Sequence, residues 1–181
     1  WVLVCPDAPH PASGPPQGAV AEFFGTDRPF FQWWDTQKKS DGAHSYDGLR
    51  RSLALLRKTL SEQGPFDALI GFSQGAMLAT ILTSLLEKPD HVGRPPFGAM
   101  DGVVASEPWK MVVLVGGMEP RDHRLAELLS GETLQTPSVH MRGEKDKLFE
   151  PGERLLSRYS DADGQRLDII HAGGHTFPRG R

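Results

Sequence analysis

The chain of 181 residues is long enough for one compact domain and too short for two well-filled ones. Twenty basic and 23 acidic residues give a formal net charge of −3, without a basic block that could follow a phosphate backbone, so we expect no nucleic acid partner. No apolar run approaches the roughly 18 to 20 residues that cross a bilayer, and we expect no membrane span. The single cysteine, Cys5, cannot form an internal disulfide, which favours a reducing compartment, in the cytoplasm or also the nucleus.

The first third of the chain contains one predicted strand, one long connection and one helix. Residues 1–5 (WVLVC) are apolar and have the length of a buried strand. Residues 6–41 follow as a long connection, rich in proline and glycine at first and in aromatic residues later. Residues 46–63 carry leucines at spacings of four, three and four, which predicts an amphipathic helix that ends before Gly64.

The rest of the chain alternates between predicted strands and helices. Strands are predicted at residues 66–71, 111–115, 138–141 and 166–170, helices at 74–87, 121–129 and 151–159, and an irregular surface excursion at 88–110. This alternation predicts an α/β fold with about five strands in a mostly parallel sheet joined by right-handed crossovers. In such sheets ligands bind at the carboxyl ends of the strands, so a functional motif is expected there.

One motif lies at such a strand end. Gly71-Phe72-Ser73-Gln74-Gly75 has the pattern G-x-S-x-G between an apolar strand and a helix. A tight turn at this place exposes a serine hydroxyl, and the flanking glycines remove side chains that would collide. The alternative is a glycine-rich turn in which the serine only caps the helix. The strand-turn-helix context favours a nucleophilic serine at Ser73.

A serine nucleophile needs a base that removes its proton and a carboxylate that orients the base. In hydrolases with this layout the order along the chain is serine, acid, histidine. His175 follows the last predicted strand in a glycine-flanked loop, and we expect it to be the base. The loop after the 138–141 strand offers two acids; we favour Asp146, with Glu144 as the alternative.

Several motifs together resemble the FSH family of serine hydrolases. They are PFDALIGFSQGA at residues 65–76, PSVH at 137–140 leading to Gly143-x-x-Asp146, and GGHTFP at 173–178, with Asp7-Ala8-Pro9 and the Trp33-Trp34 pair as earlier landmarks. The resemblance covers nearly the whole chain in order. It implies an α/β-hydrolase fold, a three-layer sandwich, with Ser73 as nucleophile, His175 as general base and Asp146 as its orienter.

The resemblance also implies an oxyanion site with one donor present and one missing. The backbone N–H of Gln74, the residue after the nucleophile, is the expected donor. Family members begin with a strand and a glycine-containing turn that supplies the second donor, and residues 1–7 match their second strand instead. We therefore expect residues 1–181 to be a single serine hydrolase domain that lacks the first strand and helix and is short at its C-terminus.

The implied reaction is hydrolysis of a carboxylic ester or thioester with an apolar acyl group through an acyl-enzyme. Trp33, Trp34 and Met77 are candidate walls of the acyl pocket; the alternative is that they fill the core. Two other functions remain open, a binding module with impaired catalysis and an acyltransferase. We expect no cofactor and no metal site, because histidines and carboxylates do not show ligand spacing in a common element.

Overall fold

The computed structural model describes residues 2–12, 14–16, 18–92 and 109–178. Its strands are β1 (His10–Pro11), β2 (Phe31–Gln32), β3 (Asp35–Lys38), β4 (His44–Asp47), β5 (Ala68–Phe72), β6 (Met111–Val115), β7 (Ser138–Gly143) and β8 (Arg166–His171). Its helices are α1 (Gly18–Phe24), α2 (Leu49–Gln63), α3 (Gln74–Glu87), α4 (Ala126–Leu129) and α5 (Phe149–Leu156), with short 3₁₀ turns at Pro89–His91, His123–Leu125 and Ala162–Gly164.

The central sheet contains four parallel strands in the order β5-β6-β7-β8. Phe72 pairs with Val115, and Gly143 pairs with His171, so the carboxyl ends of all four strands meet at one edge. Parallel strands need crossovers, and helices provide them between successive strands. The predicted α/β-hydrolase fold is confirmed.

One face of the sheet is covered by helices α3 and α5. Ala76 and Ala79 of α3 and Leu155 of α5 pack with Val112 and Leu114 of the central strand β6 in one buried cluster. The small alanine side chains let the helix approach the sheet closely. This packing fixes the start of α3 at the carboxyl edge of the sheet.

A second buried cluster lies between α2, α3 and the aromatic segment before β3. Its members are Trp34, Tyr46, Leu49, Leu53, Leu56, Leu78, Ile81, Leu82, Leu85, Trp109, Leu125, Leu128 and Leu129. The leucine stripe that predicted α2 is thus the face that the helix buries. The stripe was identified correctly because the same side chains that set its period exclude water in the fold.

The predicted first strand is wrong for residues 2–5, which form no ladder. Val2 and Leu3 are 92% and 75% exposed. An apolar run becomes a strand only when a neighbouring strand pairs with its backbone groups, and the described part of the chain pairs none with these residues. Among the described residues, which exclude residue 1, the sheet therefore has four strands rather than about five.

The connection predicted for residues 6–41 contains regular structure that the sequence did not reveal. It holds α1, the two-residue antiparallel pair β1-β2 and strand β3, whose hairpin partner β4 follows the connection. Ladders of two to four residues are too short to show a period. Tyr46, predicted to begin a helix, lies in β4, and α2 begins at Leu49 after Gly48, whose φ of 93° favours glycine.

Other element boundaries differ by a few residues. The 121–129 helix is divided into a 3₁₀ turn and α4, and the helix predicted at 151–159 begins at Phe149. Most of the 88–110 excursion, residues 93–108, lies outside the described residues, as do residues 179–181.

Candidate active site

Ser73 lies at a strained turn between β5 and α3. Its φ of 54° and ψ of −116° are unfavourable for any residue other than glycine. The Ser73 amide donates a hydrogen bond to the Val115 carbonyl at 2.8 Å, which ties the turn to β6. A Cβ atom on Gly71 would overlap the carbonyl of Gly75. The first glycine of the motif is therefore required by a close backbone approach.

The first turn of the helix that follows Ser73 contains backbone N–H groups without an acceptor inside the helix. The Ser73 carbonyl accepts from the amides of Ala76, at 3.0 Å, and Met77, at 3.3 Å. The amide of Gln74 belongs to the first turn, where N–H groups have no intrahelical acceptor and the helix dipole is positive. This end of α3 is thus an environment that favours negative charge beside the Ser73 hydroxyl.

His175 lies between Ser73 and Asp146. Its Nε2 atom is 2.8 Å from Ser73 Oγ, and its Nδ1 atom is 2.6 Å from Asp146 Oδ2. A carboxylate can only accept, so Nδ1 carries the proton and Nε2 is free to accept from the serine. The Asp146 side chain is 3% exposed, and its other oxygen accepts from the Leu148 amide at 2.9 Å. The three groups form one continuous chain of hydrogen bonds.

The loops that carry Asp146 and His175 are joined by backbone contacts. The Lys145 amide donates to the Gly173 carbonyl at 3.0 Å, and the Glu144 amide donates to the His171 carbonyl at 2.9 Å. A Cβ atom on Gly143 would overlap the carbonyls of Gly173 and Gly174. Gly143, Gly173 and Gly174 therefore allow the segments that carry Asp146 and His175 to approach each other.

Of the two acids that the sequence left open, only Asp146 contacts the histidine. Glu144 is exposed, and only its backbone joins the two loops. His171 is partly buried and its Nδ1 accepts from the Gly173 amide at 3.2 Å. His140 lies in β7 with its side chain buried, and its Nε2 lies 3.1 Å from Ser138 Oγ.

Three neighbours of His175 were not predicted. The Phe72 ring lies 4.9 Å from the His175 ring, and Phe177 stacks on Phe72 at 5.4 Å. Gly116, with φ of 55°, leaves the space beside the imidazole, because a Cβ atom there would be 3.0 Å from the ring. Phe72 lies within the G-x-S-x-G motif, and Phe177 follows His175 by two residues, so proximity to the named residues was the available signal.

The Gln74 side chain fixes the aromatic segment to the start of α3. Its Oε1 atom accepts from the Trp33 amide at 2.6 Å, and its Nε2 atom donates to the Trp34 carbonyl at 3.0 Å. Ser52 of α2 donates to the Trp33 carbonyl. The residue after Ser73 thereby connects the site to the loop before β3.

The three candidate pocket residues occupy different places. Trp34 is 1% exposed and stacks on Tyr46 at 4.5 Å in the core. Trp33 and Met77 are partly buried against the same cluster. The Trp33 indole nitrogen would lie 3.9 Å from a Cβ on Gly75, within the G-x-S-x-G motif. Trp33 is therefore near Ser73, whereas Trp34 fills the interior.

The described residues show neither a metal-ligand cluster nor a helix that could cross a membrane. Within residues 2–92 and 109–178, apart from positions 13 and 17, no three His, Cys, Asp or Glu side chains group closely enough to hold a metal ion. Helices in the same part of the chain lack the combined length and apolarity that a bilayer crossing requires.

Comparison with known proteins identifies the family. The family model described as "Serine hydrolase (FSH1)" matches residues 2–181. Human "Esterase OVCA2" is 32% identical over 189 residues, covering 97% of this chain and 75% of the relative. "Family of serine hydrolases 2" of Saccharomyces cerevisiae is 28% identical over 128 residues, covering 70% of this chain and 52% of the relative. The crystal structure of esterase PE8 shares the fold, with a TM-score of 0.53 and 18% identity over 96% of this chain and 70% of that one. The chain therefore belongs to the FSH1 family of serine hydrolases.

Proposed function

We propose that this serine hydrolase cleaves carboxylic esters or thioesters through an acyl-enzyme on Ser73. His175 is the general base, and Asp146 orients it. The observation that carries the proposal is the chain of hydrogen bonds from Ser73 Oγ to His175 Nε2 and from His175 Nδ1 to Asp146 Oδ2. A hydroxyl held by a free imidazole nitrogen can attack a carbonyl as its proton leaves.

The reaction proceeds in two steps of the same kind. Ser73 Oγ bonds to the acyl carbon while its proton passes to His175 Nε2, and the imidazolium then protonates the departing alcohol or thiol. Water next attacks the acyl-enzyme, giving its proton to Nε2, and Ser73 leaves with that proton. Asp146 accepts the Nδ1 hydrogen bond throughout and keeps Nε2 available for each transfer.

Negative charge develops on the substrate oxygen in both steps. The Gln74 amide directly follows the nucleophile in the first turn of α3, and we assign it as a donor to that oxygen. One such donor typically contributes about 2.7 to 4 kcal/mol to transition-state stabilisation. The hydrogen bonds between the Gln74 side chain and the Trp33-Trp34 backbone support the position of this residue.

The acyl group is proposed to be apolar and to contact Trp33 and Met77 rather than Trp34. Trp33 and Met77 keep exposed surface near the turn at Ser73, whereas Trp34 is in the core. Shortening either side chain in a folded variant should change the preference for acyl length. Hydrolysis rates for an ester series and a thioester series with the same acyl chains would show which leaving group is preferred.

The central experiment is fluorophosphonate labelling and ester hydrolysis by the Ser73→Ala variant. Labelling should disappear and kcat should fall by about 10⁴-fold or more. Ser157→Ala is the matched control, because Ser157 is exposed and its hydroxyl contacts only a helix carbonyl. Labelling that persists in Ser73→Ala would refute the assignment.

The same variants separate the other two functions. A binding module would show no Ser73-dependent labelling or turnover in the wild-type chain. An acyltransferase would move the acyl group to an added alcohol in preference to water, which product analysis detects directly.

A further inference from the structure

A buried charge takes no part in the proposed chemistry but lies next to residues 144–148, the loop that contains Asp146 and is called the acid loop below. Arg142 is the residue before Gly143 at the end of β7, and it is 7% exposed. Burying a guanidinium is costly unless it is paired and hydrogen-bonded. Its partners therefore indicate what the fold gains from it.

The first partner is Asp168 of the neighbouring strand β8. Arg142 Nε donates to Asp168 Oδ1 at 2.9 Å, and Nη2 donates to Oδ2 at 2.6 Å. Two parallel bonds between a guanidinium and a carboxylate fix both distance and orientation. The pair raises the pKa of Arg142 chiefly through these hydrogen bonds, so the charge persists. It is a rigid link between β7 and β8.

The second partner is the start of α5, which follows the acid loop. Arg142 Nη1 donates to the Phe149 carbonyl at 3.2 Å, and the guanidinium carbon lies 4.6 Å from the Phe149 ring centroid. The Phe149 amide in turn donates to the Asp146 carbonyl at 3.0 Å. Gly152 leaves room for the arginine stem, since a Cβ there would lie 3.1 Å from Arg142 Cδ.

These contacts join the two segments whose separation sets the Asp146–His175 distance. The acid loop leaves β7 one residue after Arg142 and ends at Phe149. The histidine loop leaves β8 three residues after Asp168. One side chain thus holds the far end of the acid loop and the strand that carries the base.

We infer that Arg142 is a positioning residue that holds Asp146 against His175 through its bonds to Asp168 and the Phe149 carbonyl. The inference rests on the proposed function in that Asp146 orients the base. Lysine cannot replace the arginine fully, because an ammonium group lacks the planar fork that serves both partners.

Arg166 offers a matched control in the same sheet. It lies at the amino end of β8 and also donates to two carbonyls, of Leu156 and Tyr159, and to the carboxylate of Asp161. Arg166→Met therefore removes a similar set of bonds at the edge of the sheet opposite to Ser73.

The test compares Arg142→Met, Arg142→Lys and Arg166→Met with the wild-type chain. A double variant, Arg142→Met with Asp168→Leu, replaces the ion pair by apolar side chains, an exchange that is often neutral or stabilising. It stays informative where the unpaired Asp168 of the single variant impairs folding. Each protein is assayed for kcat and KM with an activated ester, normalised to the folded fraction.

We expect the Arg142→Met and double variants to lower kcat about 10- to 100-fold with little change in KM, because a small displacement of a positioned group costs this much. Arg142→Lys should fall between these variants and wild type, and Arg166→Met should keep the wild-type kcat. A folded double variant with wild-type kcat would overturn the inference, as would equal losses in Arg142→Met and Arg166→Met.

A second readout does not depend on turnover. The proton on His175 Nδ1 gives a downfield proton NMR signal while it is bonded to Asp146, and His175→Gln identifies that signal by removing it. The signal should be lost or broadened in the double variant and retained in Arg166→Met; its retention in the double variant would contradict the inference. If the proposed function were wrong, the Ser73→Ala variant would instead hydrolyse the ester at the wild-type rate.

Discussion

Gly143 and Gly174 lie backbone against backbone, and a methyl group on Gly143 would overlap the carbonyl oxygen of Gly174. Gly143 ends β7 at the acid loop, and Gly174 immediately precedes His175. The close contact lets the Asp146 carboxylate reach the imidazole at 2.6 Å. Separation of the two backbones would lengthen that bond first.

We predict that Gly143→Ala lowers kcat at least 10-fold and destabilises the fold by about 1–3 kcal/mol, because overpacked backbones must shift. Activity, fluorophosphonate labelling rate and urea unfolding measure the two effects. Gly18→Ala is the control, since a Cβ there meets nothing within 4 Å. Wild-type turnover in folded Gly143→Ala would show that the contact is not needed.

The turn at Ser73 was predictable from sequence because the residues that it requires are close together in the chain. The strain at Ser73 and the close approach at Gly71 involve residues within five positions of each other, so they leave a short pattern. The choice between Asp146 and Glu144 depends on which carboxylate faces a loop almost 30 residues away, and no local pattern reports that. The strand predicted for residues 2–5 is wrong for a similar reason. An apolar run is a local pattern, whereas strand pairing depends on residues far away in the sequence.

The Gln74 side chain provides the second prediction. Gln74→Glu keeps the shape and the acceptor for the Trp33 amide, but it places a carboxylate against the Trp34 carbonyl where an amide now donates at 3.0 Å. An unsatisfied buried acceptor beside a charge costs about 1–3 kcal/mol. We expect a loss of that size in the free energy of unfolding and a slower fluorophosphonate reaction at Ser73.

The matched control for this substitution is Gln165→Glu. Gln165 is exposed and lies beside the amino end of β8, so the same chemical change there should alter stability by less than about 0.5 kcal/mol. Equal stability of the two variants would mean that the bonds from Gln74 to the aromatic segment contribute nothing measurable.

A third prediction concerns Asp122, which secures the β3-β4 hairpin. Its buried carboxylate accepts from the Tyr46 amide at 2.7 Å and from the Arg124 amide and Nε at 2.9 Å each. Burial raises the pKa of Asp122, but the hydrogen bonds from Arg124 and Tyr46 outweigh it and leave the pKa below its usual value. Asp122→Asn should cost about 3 kcal/mol, because it removes the charge that Arg124 pairs with.

The depressed pKa gives the pH dependence of this contribution. Asp122 stabilises the fold fully above the pKa of an unfolded aspartate, and the contribution disappears as the pH falls through the lower folded value. Urea unfolding should therefore show a smaller acid loss in Asp122→Asn than in wild type. Asp67→Asn is the comparison: Asp67 forms an exposed pair with Lys110, and we expect a much smaller change at neutral pH.

The last prediction concerns His140, a residue of β7 that is 2% exposed. Burial lowers the pKa of His140 to about 4, with the nearby charges of Asp168, Arg166 and Arg142 as smaller influences. The unfolded chain protonates this histidine near pH 6.5, as ordinary histidines do. Between these two values the unfolded state binds the extra proton, so stability falls as the pH falls, by up to about 3 kcal/mol.

Urea unfolding at several pH values between 4 and 7.5 tests this directly. His140→Gln removes the titrating group and should flatten the curve over that range, although it lowers stability at pH 7.5 by disturbing the contacts with Ser138 and Tyr159. His91→Gln makes the same exchange at a partly buried position outside the sheet and serves as the comparison. If His140→Gln kept the wild-type slope between pH 4 and 7.5, a group other than His140 would cause the acid sensitivity in that range, and the assignment to His140 would be wrong.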